Sequence, residues 1–585
     1  MRRSVTFIAS LCLLLGACSD DAAPEKKQSD YKRSAFQVTE SSPSSEPFVD
    51  FVDVTTAAGI DFVHVNGAAG KKWLPETMGS GVGMLDYDSD GDLDLLFIQS
   101  TPWALKGDAP TMRLYRNDGA WKFTDVTKEA GLAIPCYGMG VAIADYDADD
   151  DPDVYVTCLG ANFLLRNDNG RFARVGNGPD GGSWMETVDG KTVTHHSWST
   201  GACWFDADAD GDLDLFVVNY VKWTAARDVY GSVVEGEKAY TRPQLYEGDY
   251  SRLYLQTDGM FLDASEAAGF YGTAAVPGKS LAVCADDFDG DGRTDLFVAN
   301  DTVQNFLYLN RGEARFEEVA VEAGVGYDDN GHARAAMGID SADFANDGSL
   351  SIAIANFHEE PVSFFTATPT KGQRILFRDD ASRARIGQPT LLPLTFGLVM
   401  RDFDLDGWTD MVLANGHIEP SISRLKAELQ YAQTPQAFRN LEGRRYVEVS
   451  RNAGRGFQDR FVGRGLAAGD LDGDGDLDLV FTCNADRPRV MRLDRPGKNG
   501  SLRVRVRQPG SANRDALGAR VRATIGETTQ SRVVRTGGSY LSQSDVTQTF
   551  GLGASKDAHV EVIWPDGTRQ DCGRLAAGQH VIERK

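Results

Sequence analysis

From residue 82 onward one phrase recurs along the chain: a run of small and apolar residues, a loop of alternating aspartates, then a second apolar run. GVGML precedes and LDLLF closes the loop that starts at Asp86, and GMGVAIA precedes the loop at Asp145. Short apolar runs bounded by Asp and Gly are strand signals, so each phrase predicts a hairpin with the loop at its tip. A second phrase falls between the hairpins: LYRNDGAWKFTDVTKEAGL from Leu114, LYLQTDGMFLDASEAAGF from Leu253 and LYLNRGEARFEEVAVEAGV from Leu307. Its central Asn, Asp and Gly residues predict a turn joining two more strands. Loops begin at Asp86, Asp145, Asp206, Asp287, Asp343, Asp402 and Asp470, mostly about 60 residues apart, with an insertion in the long interval before Asp287. Seven units of four strands predict an all-β, seven-bladed β-propeller. After the seventh loop only RVMRLD remains before Pro496, and the missing partner phrase stands at the other end of the chain as FVDVTTAAGI from Phe51. The N-terminal strand is therefore expected to complete the last blade and cover its open edge.

The loops carry the candidate chemistry. Crowded aspartates repel one another unless water solvates them or a cation joins them, and each further copy weakens the reading as a solvated turn. Calcium, which takes six to eight oxygen ligands, fits the spacing. In the first loop Asp86, Asp88, Asp90 and Asp94 would give side chains and Asp92 its backbone carbonyl. The same roles fall to Asp145, Asp147, Asp149, Asp153 and Asp151, to Asp206, Asp208, Asp210, Asp214 and Asp212, and to Asp287, Asp289, Asp291, Asp295 and Arg293. They recur in Asp402, Asp404, Asp406, Asp410 and Trp408, and in Asp470, Asp472, Asp474, Asp478 and Asp476. Arginine and tryptophan at the seventh position are compatible only with a carbonyl ligand there. Gly91 supplies a left-handed turn, and Asp150 replaces that glycine in the second loop at some strain. The loop at Asp343 has Ala345 and Ser351 in place of carboxylates and is expected to be weak or empty, so about five or six Ca2+ are expected. An EF-hand is excluded, because these loops close at the ninth position and are flanked by strands.

The chain has 585 residues and a formal charge of -25, which argues against nucleic-acid partners. Its first residues, MRRSVTFIASLCLLLGACSD, have a basic start and a short apolar stretch, the layout of a secretory signal. Leu15 to Cys18 resembles a bacterial lipobox, which implies cleavage after residue 17, lipid on Cys18 and a membrane contact through that lipid. Residues 18–47 are expected to be a flexible tether, 48–495 the propeller and 496–585 a small β-rich module. This places the protein in the bacterial cell envelope outside the cytoplasm, with Ser19 favouring the outer membrane or cell surface. Cys136, Cys158, Cys203, Cys284, Cys483 and Cys572 face an oxidising compartment; Cys136 and Cys158 flank one hairpin, and a bridge or buried thiols are both open.

From Pro496 the balance reverses to fourteen Lys/Arg against eight Asp/Glu. In LRVRVR, Arg503, Arg505 and Arg507 share one strand face. Docking of this basic module on the acidic propeller is expected, with an anionic ligand as the alternative. The loops resemble the FG-GAP/VCBS family of calcium-binding propeller blades, found in integrin α-subunit heads and many bacterial surface proteins. The stretch NRDALGARVRATIGETTQSRVVRTGGSYLSQSD, with TFGLG and VEVIWPDGT, resembles the ASPIC/UnbV domain. The combination resembles the cartilage acidic protein family and its bacterial relatives over residues 48 to 585, and implies metal roles for the loop aspartates and nothing catalytic.

His195, His196, His332 and His417 read as turn or packing residues, and no serine elbow, phosphate loop or zinc helix occurs. The expected function is a non-enzymatic recognition or adhesion scaffold for a protein or carbohydrate partner. The alternative is a polysaccharide hydrolase or lyase with its site in the propeller channel or at the junction with the module.

Overall fold

The computed structural model describes residues 48–103, 109–234, 237–272, 275–368, 375–495, 497 and 499–585. The signal, Cys18 and the whole tether lie outside them. Among the described residues, seven four-stranded antiparallel sheets form the ring, and no helix is long and apolar enough to cross a membrane. The first sheet runs Val82–Leu85, Asp94–Phe97, Arg113–Asn117 and Phe123–Asp125 from the axis outward. The other innermost strands are Gly138–Ala144, Ser199–Phe205, Ser280–Asp286, Ala336–Ala342, Thr395–Arg401 and Gly463–Gly469. Each packs against the next, and Gly463–Gly469 packs back against Val82–Leu85, so the ring is closed. Asp50–Asp53 pairs antiparallel with Arg489–Asp494 as the outermost strand of the seventh blade, so one sheet joins the two ends of the ring. The long third interval holds an added hairpin, Gly231–Val234 with Glu237–Ala239.

Apolar residues alternate within each sheet, so each pair of neighbouring blades encloses its own core. Between the seventh and first, for example, Val480, Val490 and Ala467 meet Val82, Leu95, Phe97 and Tyr115. The core between the second and third blades continues into the C-terminal module, where Trp204, Leu215 and Tyr155 join Leu502, Val521, Val560 and Trp564. The module has a three-stranded sheet centred on Gly500–Arg507 and a four-stranded sheet containing Arg520–Ile525.

The stretch between Val533 and Gln548 leaves the module and fills the axis of the ring. Residues 536–545 bond to all seven innermost strands. Gln543 pairs its backbone with Val82 and Met84, and its side-chain amide with both backbone groups of Ile143 at 2.8 and 2.9 Å. Trp204 N–H donates to Thr536 Oγ1, Gly538 N–H to the Val283 carbonyl, and Ile339 N–H to the Ser539 carbonyl. Leu398 N–H donates to Ser539 Oγ and Ala468 N–H to Ser544 Oγ. Six of the seven innermost strands carry a register irregularity near their start, which turns backbone groups toward the axis. Their glycines make room: a Cβ on Gly81 would lie 1.6 Å from the Leu541 carbonyl oxygen, and one on Gly465 2.3 Å from Ser542 Oγ.

Candidate metal centre

The first-position aspartate caps its own loop. Asp86 accepts the N–H groups of Asp90 and Gly91, each at 3.0 Å, and Asp145 accepts those of Asp149 and Asp150. Asp343 does the same for Asp347 and Gly348, which explains why this residue persists in the degraded copy. The ninth-position aspartates open the second strand and join three segments. Asp94 accepts Tyr87 N–H from the loop and Asn117 N–H from the third strand, at 2.9 and 2.7 Å. Asp153, Asp214, Asp295, Asp410 and Asp478 repeat the arrangement. The sixth position is left-handed throughout, with Gly91 at φ +97° and Asp150 at +78°. The fourth position is left-handed as well, in Ser89, Ala148, Ala209 and Leu405, and the sequence signals it only where Gly290, Gly473 and Asn346 stand there.

Among the described residues six groups bring carboxylate or other ligand atoms close enough to share one ion, among them Asp86, Asp88 and Asp90; Asp145, Asp147 and Asp153; Asp206, Asp208 and Asp210; Asp287, Asp289 and Asp291; and Asp402, Asp404 and Asp410. The seventh-position side chains Asp92, Asp151, Asp212, Arg293 and Trp408 lie outside these five groups. Arg293 turns away to the Asn310 carbonyl and to Asp291. Two observations make the donor set fit a hard cation. Buried Oδ1 atoms of Asp88, Asp147, Asp287, Asp402 and Asp476 have no hydrogen-bond partner, and an orphaned buried carboxylate oxygen is strongly unfavourable. Burial, followed by neighbouring carboxylates, also lifts Asp94, Asp214 and Asp295 to about 8 and Asp153 to about 9. A divalent cation would reverse that penalty by favouring the ionised form.

Comparison with known proteins agrees with this pattern. A model of the FG-GAP-like repeat matches residues 86–156 and 287–354, and a model of ASPIC and UnbV matches 509–584. The chain carries FG-GAP-like repeats and an ASPIC/UnbV domain. It is homologous to cartilage acidic protein 1, with 26% identity to the Homo sapiens protein over 515 residues, 84% of this chain and 70% of that one. The Xenopus tropicalis protein is 25% identical over 520 residues, covering 84% and 71%. Among solved structures, an Agrocybe aegerita lectin specific for non-reducing terminal N-acetylglucosamine is similar at 13% identity and a TM-score of 0.35, over 63% of this chain and 79% of that chain. YCF48 bound to D1 peptide is similar at 9% identity and a TM-score of 0.37, over 77% and 96%.

The ASPIC/UnbV domain lies on the face that carries the FG-GAP loops. Arg503 bridges Asp470 and Asp545, each at 2.7 Å, while Arg507 and Arg514 both pair with Asp150. Arg535 joins Asp286 and Asp340, and Arg520 lies beside Asp287 at 3.8 Å. The basic stretch is thus matched to the acidic loops, as expected from its charge. The charge of Arg532 acts on both Asp402 and Asp343, so the degraded loop has a cation beside its remaining first-position aspartate.

The opposite face is open and aromatic. There the plug turns at Tyr540, whose hydroxyl donates to the Met78 carbonyl and whose ring meets Phe396 at 4.9 Å. Trp73, Trp103 and Trp223 pack together beside it. His417, buried, takes Glu419 N–H on Nδ1 and so donates from Nε2 to His358 Nδ1 at 3.0 Å. His195 pairs with Glu186 and stacks on Trp184, His196 ends the same hairpin, and His332 is exposed. The six cysteines among the described residues are free thiols; Cys136 Sγ donates to the Gln99 carbonyl, and Cys158 is buried without a disulfide.

Proposed function

We propose that this chain is a calcium-stabilised recognition scaffold, tethered outside the cytoplasm through lipid on Cys18, that presents the open face of its ring to a protein or carbohydrate partner and performs no catalysis. The observation that carries calcium is the buried, partnerless carboxylate oxygen in five of the seven loops. The role of the open face follows from the covering of the loop face and the filling of the axis by the ASPIC/UnbV domain. The loop at Asp343 is expected to remain weak or empty. The test is metal content of the purified mature protein, with thermal unfolding before and after chelation. About five or six calcium ions and a large drop in melting temperature on chelation are expected. An unchanged melting temperature would falsify the reading.

The second reading, a polysaccharide hydrolase or lyase, gains one observation. Asp301 and Glu360, neither of them in a metal loop, line a cavity on the open face. Turnover of neutral or sulfated glycans that is lost in Asp301→Asn would favour it.

A further inference from the structure

At the centre of the open face lies a cavity of about 240 Å³ whose floor includes Met78 and Phe396, the residues that hold Tyr540 of the plug. We propose that this cavity binds a primary ammonium group on an apolar stem, the chemistry of a lysine side chain on a partner or of a free aliphatic amine. The proposal rests on the reading of this face as the recognition face and names what it recognises.

Size sets the first limit. Clefts for drug-sized ligands hold about 300–1,000 Å³, so this one suits a single side chain or a small molecule rather than a polysaccharide segment. The lining sets the second. Leu281, Met337, Phe357 and Phe396 form apolar walls that suit an aliphatic stem, with aromatic faces that favour a nearby cation.

The polar groups are acceptors in excess. Tyr220 donates to Asp301 Oδ2 at 2.5 Å and leaves Oδ1 to a ligand. Ala335 N–H bonds Glu360 Oε2 at 2.7 Å and leaves Oε1. Thr302 Oγ1 is buried without a partner, on a β-branched residue held at φ +64°. Three acceptors from two blades match the three donors of an ammonium group.

Charge points the same way. Burial lifts Asp301 to about 7 against the pull of Tyr220 and Lys279, and the neighbouring Glu360 charge adds to it. The nearby cations are engaged elsewhere: Lys279 donates to the Pro243 carbonyl, and Arg334 to Ser363 and Asp379. Arg464 is bound by four backbone carbonyls behind Phe396, and Arg242 stands exposed at the mouth. Lys279 and Arg334 offset the two carboxylates only from outside the cavity, and an ammonium group would add a counter-charge inside it that a neutral hydroxylated ligand lacks.

The test uses the calcium-loaded full chain and calorimetric titration with n-hexylamine, hexanol, hexanoate and N-acetylglucosamine. Hexylamine is expected to bind at least about tenfold more tightly than the other three. An acetyl-Gly-Lys-Gly-amide peptide, compared with its Nε-acetyl-lysine form, distinguishes the sources. Binding of the lysine peptide alone indicates a protein partner, and binding of hexylamine without the peptide indicates a free amine. Asp301→Asn and Glu360→Gln should each weaken amine binding at least about tenfold. Gln244→Trp, at an exposed position on the mouth, should block entry without touching the core. Equal binding of hexanol or hexanoate, preference for N-acetylglucosamine, indifference to Nε-acetylation, or full affinity in Gln244→Trp overturns the proposal. Absence of amine binding in a protein that still holds and is stabilised by calcium overturns it too, and leaves the scaffold reading standing.

Discussion

A single loop aspartate has a role set by its position, and the roles separate experimentally. Asp88 keeps a buried Oδ1 with no partner, whereas the Asp92 side chain is exposed and its proposed contribution is a carbonyl. Asp88→Asn should therefore lose about one calcium ion per chain, and Asp92→Asn should keep the full complement, as read by metal analysis. The sequence made the alternation of aspartates plain. It did not show that positions one and nine are also backbone caps, because those bonds reach across strands that only folding brings together. The histidines give a pH prediction. Burial holds His64 and His417 at about 3 and His358 at about 4, well below the usual 6.5. The unfolded chain then takes up protons first, so their stability contribution is complete above pH 6.5 and falls as pH drops below it. Each buried histidine should cost about 1.4 kcal/mol per pH unit in that window. At saturating calcium, the drop in melting temperature from pH 7 to pH 5 should be smaller in His64→Gln than in the parent.

At the scale of strands, the hairpins, their partner phrases and the borrowed N-terminal strand were all legible, because each is a short segment with its own periodicity and turn signal. The axial plug was not. GGSYLSQS reads as a family marker and has no strand or helix period; together with Thr536 it finds its partners among backbone groups on seven distant segments. A signal was nonetheless present in the small residues that open the innermost strands, including Gly81, Gly140, Gly338, Gly397 and Gly465. Gly81→Ala should destabilise the protein by about 3 kcal/mol or expel the plug, since its Cβ would overlap the Leu541 carbonyl. Gly201→Ala, whose Cβ would come no nearer than 3.3 Å to any neighbour, should be far milder. Thermal melts and limited proteolysis within residues 536–545 would read both.

For the whole molecule, the loops, the ASPIC/UnbV domain and the plug are expected to behave as one cooperative body. Arg503 shares the first-position Asp470 with the proposed calcium, and its strand adjoins the one that follows the plug. Chelation should therefore speed amide exchange at Gly538, Ser539 and Gln543, whose N–H groups bond to the innermost strands at the axis, along with exchange in the loops themselves. Retained protection at the axis after complete calcium removal would show the two to be uncoupled. Amides of the insertion hairpin Ser183–Val188 and Lys191–His196, which lies outside the blades, should be unaffected.

The sequence by itself determined the blade, the number of repeats and the device that closes the ring, and it supplied the aspartates proposed as metal ligands. These are local matters, written in spacing, turn residues and alternation within segments of about 60 residues. Only the tertiary structure decided which face of the ring is covered, that the axis is filled and where two carboxylates outside the loops meet. Those outcomes depend on backbone groups and side chains from different blades arriving at one point, and no single segment of the chain encodes that convergence.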